Sequence, residues 1–181
     1  NKGFEVSLNS VNIDSKNFKW SSTAIFSLDR DKIVELRGDG LDDITNNWFI
    51  GKPLRVFYDY KMLGVIPSGP GAGGARLEDL NGDGLFRASD DRQIIGSRNP
   101  RYTGSLANRL SYKNFYLSAL VTGVFNVWRE DNLANIGSWT FGITNYVHNA
   151  NYWTPENPNG EIVSPGYLNP VGHGYYKKVS Y

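Results

Sequence analysis

The sequence predicts an all-β fold in which antiparallel strands form an arc of a transmembrane β-barrel with long extracellular loops. Two observations carry this expectation, and a third, the lack of a membrane-helix run, leaves it open. Two hairpins alternate apolar and polar residues along their strands. Tight turns alternate with long excursions rich in Gly, Pro, Asn and Trp, as at the two rims of an outer-membrane barrel. Nowhere do about 18 consecutive apolar residues occur, as a membrane helix would require.

In the first hairpin Phe4, Val6, Leu8 and Ser10 alternate with Glu5, Ser7 and Asn9, and Trp20, Ser22, Ala24, Phe26 and Leu28 alternate with Lys19, Ser21, Thr23, Ser27 and Asp29. Slipping the pairing by one residue would put every apolar set opposite a polar one. The matching register pairs Phe4 with Leu28, Val6 with Phe26 and Leu8 with Ala24. It demands an odd loop centred on Lys16, and a three-residue Ser15-Lys16-Asn17 turn with Asn17 left-handed satisfies it. In the second hairpin a Lys113-Asn114 turn sets Tyr112 opposite Phe115, Leu110 opposite Leu117 and Leu106 opposite Val121. The reverse face then carries Arg109 opposite Ser118 and Ser105 opposite Thr122. An apolar face against lipid and a polar face against a wet lumen account for this pattern. A half-buried sheet in a soluble sandwich uses the same alternation.

Between the hairpins, Leu54 to Tyr60 reads as a further strand and Pro67 to Gly74 as a mobile connection. Residues 67–100 read as a Pro/Gly-rich loop followed by an acidic loop, and 128–170 as a long, poorly periodic loop region. Tyr175 to Tyr181 reads as another strand. The chain has 181 residues, 14% of them aromatic, with 20 Gly and one Met, which suits wet β-structure better than a packed globular core. Because both ends fall within apparent strands, the chain reads as a piece of a longer protein. A formal net charge of +1 with dispersed basic residues gives no electrostatic case for nucleic acid. The absence of cysteine excludes disulfides and thiolate metal sites.

The acidic loop has the ligand spacing of an EF-hand-type calcium loop. Asp79, Asn81, Asp83 and Asp90 stand at positions 1, 3, 5 and 12, Leu85 offers its carbonyl at position 7, and Gly84 makes the turn at position 6. Oxygens so spaced can surround one hard cation as a structural clip. Position 12 is Asp where Glu is usual, and Arg87 at position 9 cannot ligate, so the set is a weakened one. The alternative reading is a solvated Asp/Asn/Gly turn that binds no metal.

Taken in order, the Asn1–Val6 segment, Phe18-Lys19-Trp20-Ser21, Asp31-Lys32-Ile33-Val34 and Gly51-Lys52-Pro53 leading into Phe57-Tyr58-Asp59-Tyr60 resemble the C-terminal barrel of the SusC/RagA family of TonB-linked outer-membrane proteins. The most specific stretch is Asp79-Leu80-Asn81-Gly82-Asp83-Gly84, followed by Asp91-Arg92, Ile94-Ile95-Gly96, Tyr102-Thr103-Gly104 and Tyr112-Lys113-Asn114-Phe115. Trp153-Thr154-Pro155-Glu156-Asn157-Pro158 continues the resemblance. One departure is Ala72-Gly73-Gly74-Ala75, which stands where that family often has Pro-Gly-Asp. The resemblance implies that residues 1–181 are part of a large barrel of about 22 strands, with the plug domain absent from this stretch.

It further implies uptake of glycans or peptides across the outer membrane of a Gram-negative bacterium. The partners implied are TonB, a SusD-like surface lipoprotein and outer-membrane lipid. On that reading Glu5, Lys19 and Arg109 face the lumen, and Trp139, Tyr152 and Trp153 are candidates for stacking on cargo. Packing within loops or an interfacial girdle is the alternative use of those aromatics. Enzyme readings find little: His148 and His173 lie apart, His173 within Gly172-His173-Gly174 reads as a flexible loop residue, and no nucleophile elbow is present. The competing function is a secreted, calcium-stabilised β-sandwich that binds carbohydrate.

Overall fold

The computed structural model describes residues 1–131, 134, 150–168 and 170–181. Among these residues are ten strands: β1 (Lys2–Asp14), β2 (Phe18–Arg30), β3 (Val56–Tyr60), β4 (Met62–Val65), β5 (Ala75–Leu77), β6 (Arg92–Ser97), β7 (Tyr102–Tyr112), β8 (Phe115–Phe125), β9 (Val127–Glu130) and β10 (Tyr176–Val179). Strands β1, β2, β7 and β8 form one antiparallel sheet in that order, and three two-stranded sheets pair β3 with β6, β4 with β5 and β9 with β10. The chain divides into two compact units, the first comprising 1–56, 97–128 and 178–181, the second 57–96 and 129–177.

The first unit holds the four-stranded sheet. Its strands run 13, 13, 11 and 11 residues, enough for tilted β-strands to cross a bilayer, which takes about 9–11. Both short turns lie at one rim, where Lys113 N–H donates to Asn17 C=O at 2.9 Å. At the opposite rim β2 leads into the excursion that returns as β7, and β8 leads into the rest of the chain. There Tyr181 exchanges backbone hydrogen bonds with Val124 on the edge strand.

The register follows the alternation. Phe4 pairs with Leu28, Val6 with Phe26 and Leu8 with Ala24; Tyr112 pairs with Phe115, Leu110 with Leu117, Arg109 with Ser118 and Leu106 with Val121. The odd parity of the first hairpin arises differently from expectation. Asn17 is not left-handed, and the extra residue is a bulge at Asn12, between the pairs Val11–Ser21 and Ile13–Trp20. Ser15 then closes a tight turn on Phe18, its N–H and hydroxyl both donating to Phe18 C=O at 2.9 and 2.8 Å. A bulge changes the phase of a strand. It therefore lets Val11 share a face with Ser21 while Ile13 joins the apolar face. At the second turn Lys113 takes the left-handed conformation, with φ of 51°.

No residue of these four strands is buried. Leu8 is 64%, Leu117 62%, Val121 67% and Phe115 78% exposed. A sandwich would bury such a face against a second sheet, and a soluble monomer rarely exposes so large an apolar surface. The fold is thus all-β, with antiparallel strands forming part of a large transmembrane barrel and long extracellular loops.

Polar side chains on the apolar face satisfy one another. Asn108 Oδ1 accepts from Trp20 Nε1 at 3.1 Å and Ser22 Oγ at 2.7 Å, and Asn12 Nδ2 donates to Ser22 Oγ at 2.6 Å. Unmet polar atoms in hydrocarbon cost several kcal/mol each, which explains why Asn108 sits beside Ser22 and Trp20. The remaining core of this unit lies outside the sheet's faces, at Ile33, Phe49, Val56 and Val127.

The second unit packs around Ala134, Val163 and Tyr175, flanked by Met62, Val65, Ala75, Ile162 and Tyr167. Strand β3 begins two residues later than expected, at Val56. The Pro67–Gly74 stretch, expected to be mobile, is a packed turn. Gly73 N–H donates to Ile66 C=O and Ile66 N–H to Gly74 C=O, both at 2.9 Å. Gly73 has φ of 81°, and a Cβ there would lie 2.6 Å from the Trp153 ring. Glycine thus serves close approach here as much as turning.

Candidate functional site

Two regions carry the chemistry: the polar face of the sheet and the loops of the second unit. Strand alternation with the observed register places Glu5 (paired with Ser27), Lys19 (paired with Ser111) and Arg109 (paired with Ser21) on one face. That face is opposite Phe4, Phe26 and Leu106. Lys19 Nζ lies 3.0 Å from Asp14, an exposed pair of small energetic weight. Ser7, Thr23, Ser105 and Thr122 share the face, so it is hydroxyl-rich, with charges spread along it.

At the long-loop rim of the same unit a cavity of about 290 Å³ is lined by Asp29, Arg30, Asp31, Asn99, Arg101 and Trp128, among others. Asp31 accepts Leu54 N–H at 2.9 Å and Asn99 Nδ2 at 3.4 Å. This carboxylate ties the entry to β7 to the end of the 32–53 loop.

In the acidic loop the expected ligands are brought close and used locally. Asp79 accepts Gly82 N–H at 2.7 Å and Gly84 N–H at 2.8 Å, Asn81 accepts Asp83 N–H at 3.0 Å, and Asp83 accepts Leu85 N–H at 2.7 Å. Gly84 has φ of 74°, the turn that position 6 requires. The Leu85 N–H and then the Arg87 guanidinium beside it hold the Asp83 carboxyl below its ordinary pKa. Arg87 Nη1 also lies 3.8 Å from Asp90. Arg87, the residue at position 9 that cannot ligate, thus supplies the positive charge between Asp83 and Asp90. Among the described residues no three His, Cys, Asp or Glu side chains are grouped so as to hold a metal. As folded, the loop is held by hydrogen bonds and a guanidinium, and its side chains do not converge on one cation.

The spacing gives Asp91 no ligand position of its own, yet the structure makes it the anchor of the loop. It is fully buried, and its oxygens accept Leu80 N–H at 3.0 Å and Arg87 N–H at 2.9 Å, pinning both ends of the acidic loop. Its neighbour Arg92 reaches Tyr58 C=O at 2.5 Å and lies over the Tyr58 ring. Spacing could not separate Asp91 from Asp90, since adjacent carboxylates in a loop carry no burial signal.

Of the aromatic candidates, Trp139 lies outside the described residues, as does His148. Trp153 is half-buried, donates Nε1 to Pro67 C=O at 3.1 Å and packs on Gly73, which is the loop-packing use of its ring. Tyr152 is half-buried and bridges to Ile162. His173 is not a flexible loop residue: it is fully buried, its ring 5.5 Å from that of Tyr175. Burial, the largest influence on it, holds the imidazole below its usual pKa. Burial likewise pushes the Tyr175 hydroxyl up to about 12.

No protein-family model matches the chain. Curated sequences do. It is 32% identical over 191 aligned residues to TonB-dependent receptor P26 of Formosa agariphila, covering 92% of this chain and 19% of that protein. TonB-dependent receptor P3 of the same organism is 33% identical over 193 residues, covering 91% and 19%. The chain belongs to the TonB-dependent receptor family. The SusC/RagA resemblance of its motifs falls within that family. Among solved structures, the RagAB peptide transporter superimposes with a TM-score of 0.71 at 20% identity over 98% of this chain and 21% of that one. The RagAB peptide importer in its closed-closed state gives 0.65 at 18% identity. These receptor relatives are named as receptors, and the chain spans about a fifth of their length.

Proposed function

We propose that this chain forms an arc of the barrel wall, with its outer loops, of a receptor that imports glycans or peptides across the outer membrane of a Gram-negative bacterium. The import is TonB-dependent and shared with a SusD-like surface lipoprotein. The observation that carries the reading is the four-stranded sheet of membrane-crossing length, apolar on one face and polar on the other, with both tight turns at one rim. On this reading Glu5, Lys19 and Arg109 face the lumen. Val34, Leu41, Ile44 and Leu54, all exposed in the first excursion, are offered to the lipoprotein. Trp139 and Tyr152 stay assigned to cargo as part of the same proposal, while Trp153 is given up to loop packing on Pro67 and Gly73. The solved neighbours named as peptide transporters favour peptide over glycan.

The test is purification of the native full-length polypeptide from detergent-extracted outer membrane. A heat-modifiable band, a co-purifying lipoprotein and loss of uptake when TonB is deleted are expected. A soluble product would overturn the reading.

Calcium at Asp79, Asn81, Asp83, Asp90 and the Leu85 carbonyl is proposed on spacing alone, and it requires Arg87 to swing away from Asp83. The affinity expected is weak, about 10⁻⁴ to 10⁻³ M. Arg87→Ala should tighten it by removing the competing cation, and Asp83→Ala should abolish calcium protection of residues 67–100 against protease. Identical digestion patterns in calcium and in chelator would remove the metal from the account.

A further inference from the structure

Two Asn-Gly pairs occur in the chain, Asn81-Gly82 and Asn159-Gly160. In such a pair the main-chain nitrogen reaches the preceding side-chain amide most readily, because the glycine has no Cβ to hinder the approach. The two pairs are folded in opposite ways. Residues 81–84 are exposed, Gly82 has φ of 75°, and a Cβ on it would meet nothing within 4 Å. Gly160 is buried, and a Cβ there would lie 2.3 Å from Trp153 N.

The hydrogen bonds of the acidic loop fall on the atoms that such an attack would use. Gly82 N–H, the nucleophile, donates to Asp79 Oδ1 at 2.7 Å, within the reach of a carboxylate acting as general base. Asn81 Oδ1 takes negative charge when Cγ becomes tetrahedral, and it already accepts Asp83 N–H at 3.0 Å. That is the geometry of an oxyanion donor. The other oxygen of Asp79 accepts Gly84 N–H at 2.8 Å, which holds the carboxylate in place. At the second pair Gly160 N–H donates instead to Asn157 C=O at 3.1 Å, a neutral group that cannot take the proton.

We propose that Asn81 is a site of self-modification, at which the loop converts its own side-chain amide into a carboxylate. Asp79 takes the Gly82 N–H proton, the Gly82 nitrogen bonds to Asn81 Cγ, and the Cγ–Nδ2 bond breaks. Nδ2 leaves as ammonia, carrying that proton. Water then opens the cyclic imide. Attack at Cγ leaves aspartate at position 81; attack at the main-chain carbonyl leaves isoaspartate. One water is consumed and one ammonia released on either route. Both products add a negative charge between Asp79 and Asp83, and isoaspartate also lengthens the main chain by a methylene, so the bonds that close the loop loosen. A newly made receptor and an aged one then differ in this loop. The chemistry is independent of what the receptor imports.

The test incubates the full-length receptor at neutral pH in water enriched in heavy oxygen, folded in detergent and unfolded in urea. A chelator keeps cations off Asp79 and Asn81. Mass spectrometry follows the peptides that carry Asn81 and Asn159. Asn81 is expected to convert about tenfold or more faster in the folded receptor than in the unfolded chain, since a positioned base contributes at least that much. Asn159 is the unassisted reference, slower when folded than when unfolded. Asp79→Asn keeps an acceptor oxygen for Gly82 N–H but removes the base, and it should bring the folded rate at Asn81 down to the unfolded one. A carboxylate that merely braces the loop would give the reverse, because loosening it would speed conversion. Conversion of Asn81 no faster in the folded receptor than in urea, or an Asp79→Asn receptor that converts as fast as the wild type, would overturn the proposal.

Discussion

Replacing Val121 with Arg is expected to destabilise the receptor in phospholipid vesicles by about 2–4 kcal/mol, whereas Thr122→Arg, one residue along, leaves its stability nearly unchanged. Val121 lies midway along β8, opposite Leu106 and on the face of Phe4 and Leu8. Its side chain has nothing packed over it, at 67% exposure. In lipid a guanidinium at that depth costs about 2–4 kcal/mol, falling to about 0–1 near the interfaces. Thr122 pairs with Ser105 on the polar face, where an added Arg remains in water. Urea midpoints of the two variants in vesicles give the comparison. Equal tolerance of both would mean that neither face meets lipid, and the assignment of Glu5, Lys19 and Arg109 to the lumen would fall with it. Phe115→Arg, near the turn rim, should cost much less than Val121→Arg, because depth and not residue type sets the penalty.

That contrast depends on register, and register was the most legible property of this chain. Period-two alternation allows one phase per strand pair, so Phe4–Leu28 and Leu110–Leu117 followed from the residues alone. The way the phase is kept was not legible. A left-handed Asn17 and a bulge at Asn12 solve the same parity problem, and only packing of Asn12 on Ser22 distinguishes them. The loops were read least well, for a common reason. Gly73 looked like slack because glycine permits motion, yet it is there because the Trp153 ring needs the space a Cβ would fill. His173 looked mobile between two glycines for the same reason and is buried. The EF-hand-like spacing coincides with an acidic loop closed by its own side-chain-to-backbone hydrogen bonds. Spacing describes which oxygens can converge, though, and not whether Arg87 reaches them first.

The segment that enters β10 depends on Asp59, one of two buried carboxylates among the described residues, and its removal is expected to be the most disruptive single change in that segment. Asp59 is 8% exposed. It accepts Gly174 N–H at 2.8 Å and the Tyr176 hydroxyl at 2.7 Å with one oxygen, and Tyr60 N–H at 2.8 Å with the other. The first two partners lie 115 and 117 residues along the chain, so the group links β3 to the segment entering β10. Asp59→Ala leaves those buried donors without the acceptor, at about 1–3 kcal/mol for each. Hydrogen exchange should show Gly174 and its neighbours losing protection while the sheet amides keep theirs; Asp59→Asn, which retains one acceptor oxygen, should lose less. Acid acts on the same cluster. Burial holds His173 below its ordinary pKa of 6.5 even though the Asp59 charge opposes that shift. The stability that the neutral imidazole contributes is therefore complete above about pH 6.5 and is lost as pH falls toward its lower folded value. Without Asp59 the folded value drops further, so Asp59→Ala should steepen the acid loss as well as lower protection at neutral pH. Protection at Gly174 that is indifferent to both the substitution and acid would show that the segment is held elsewhere.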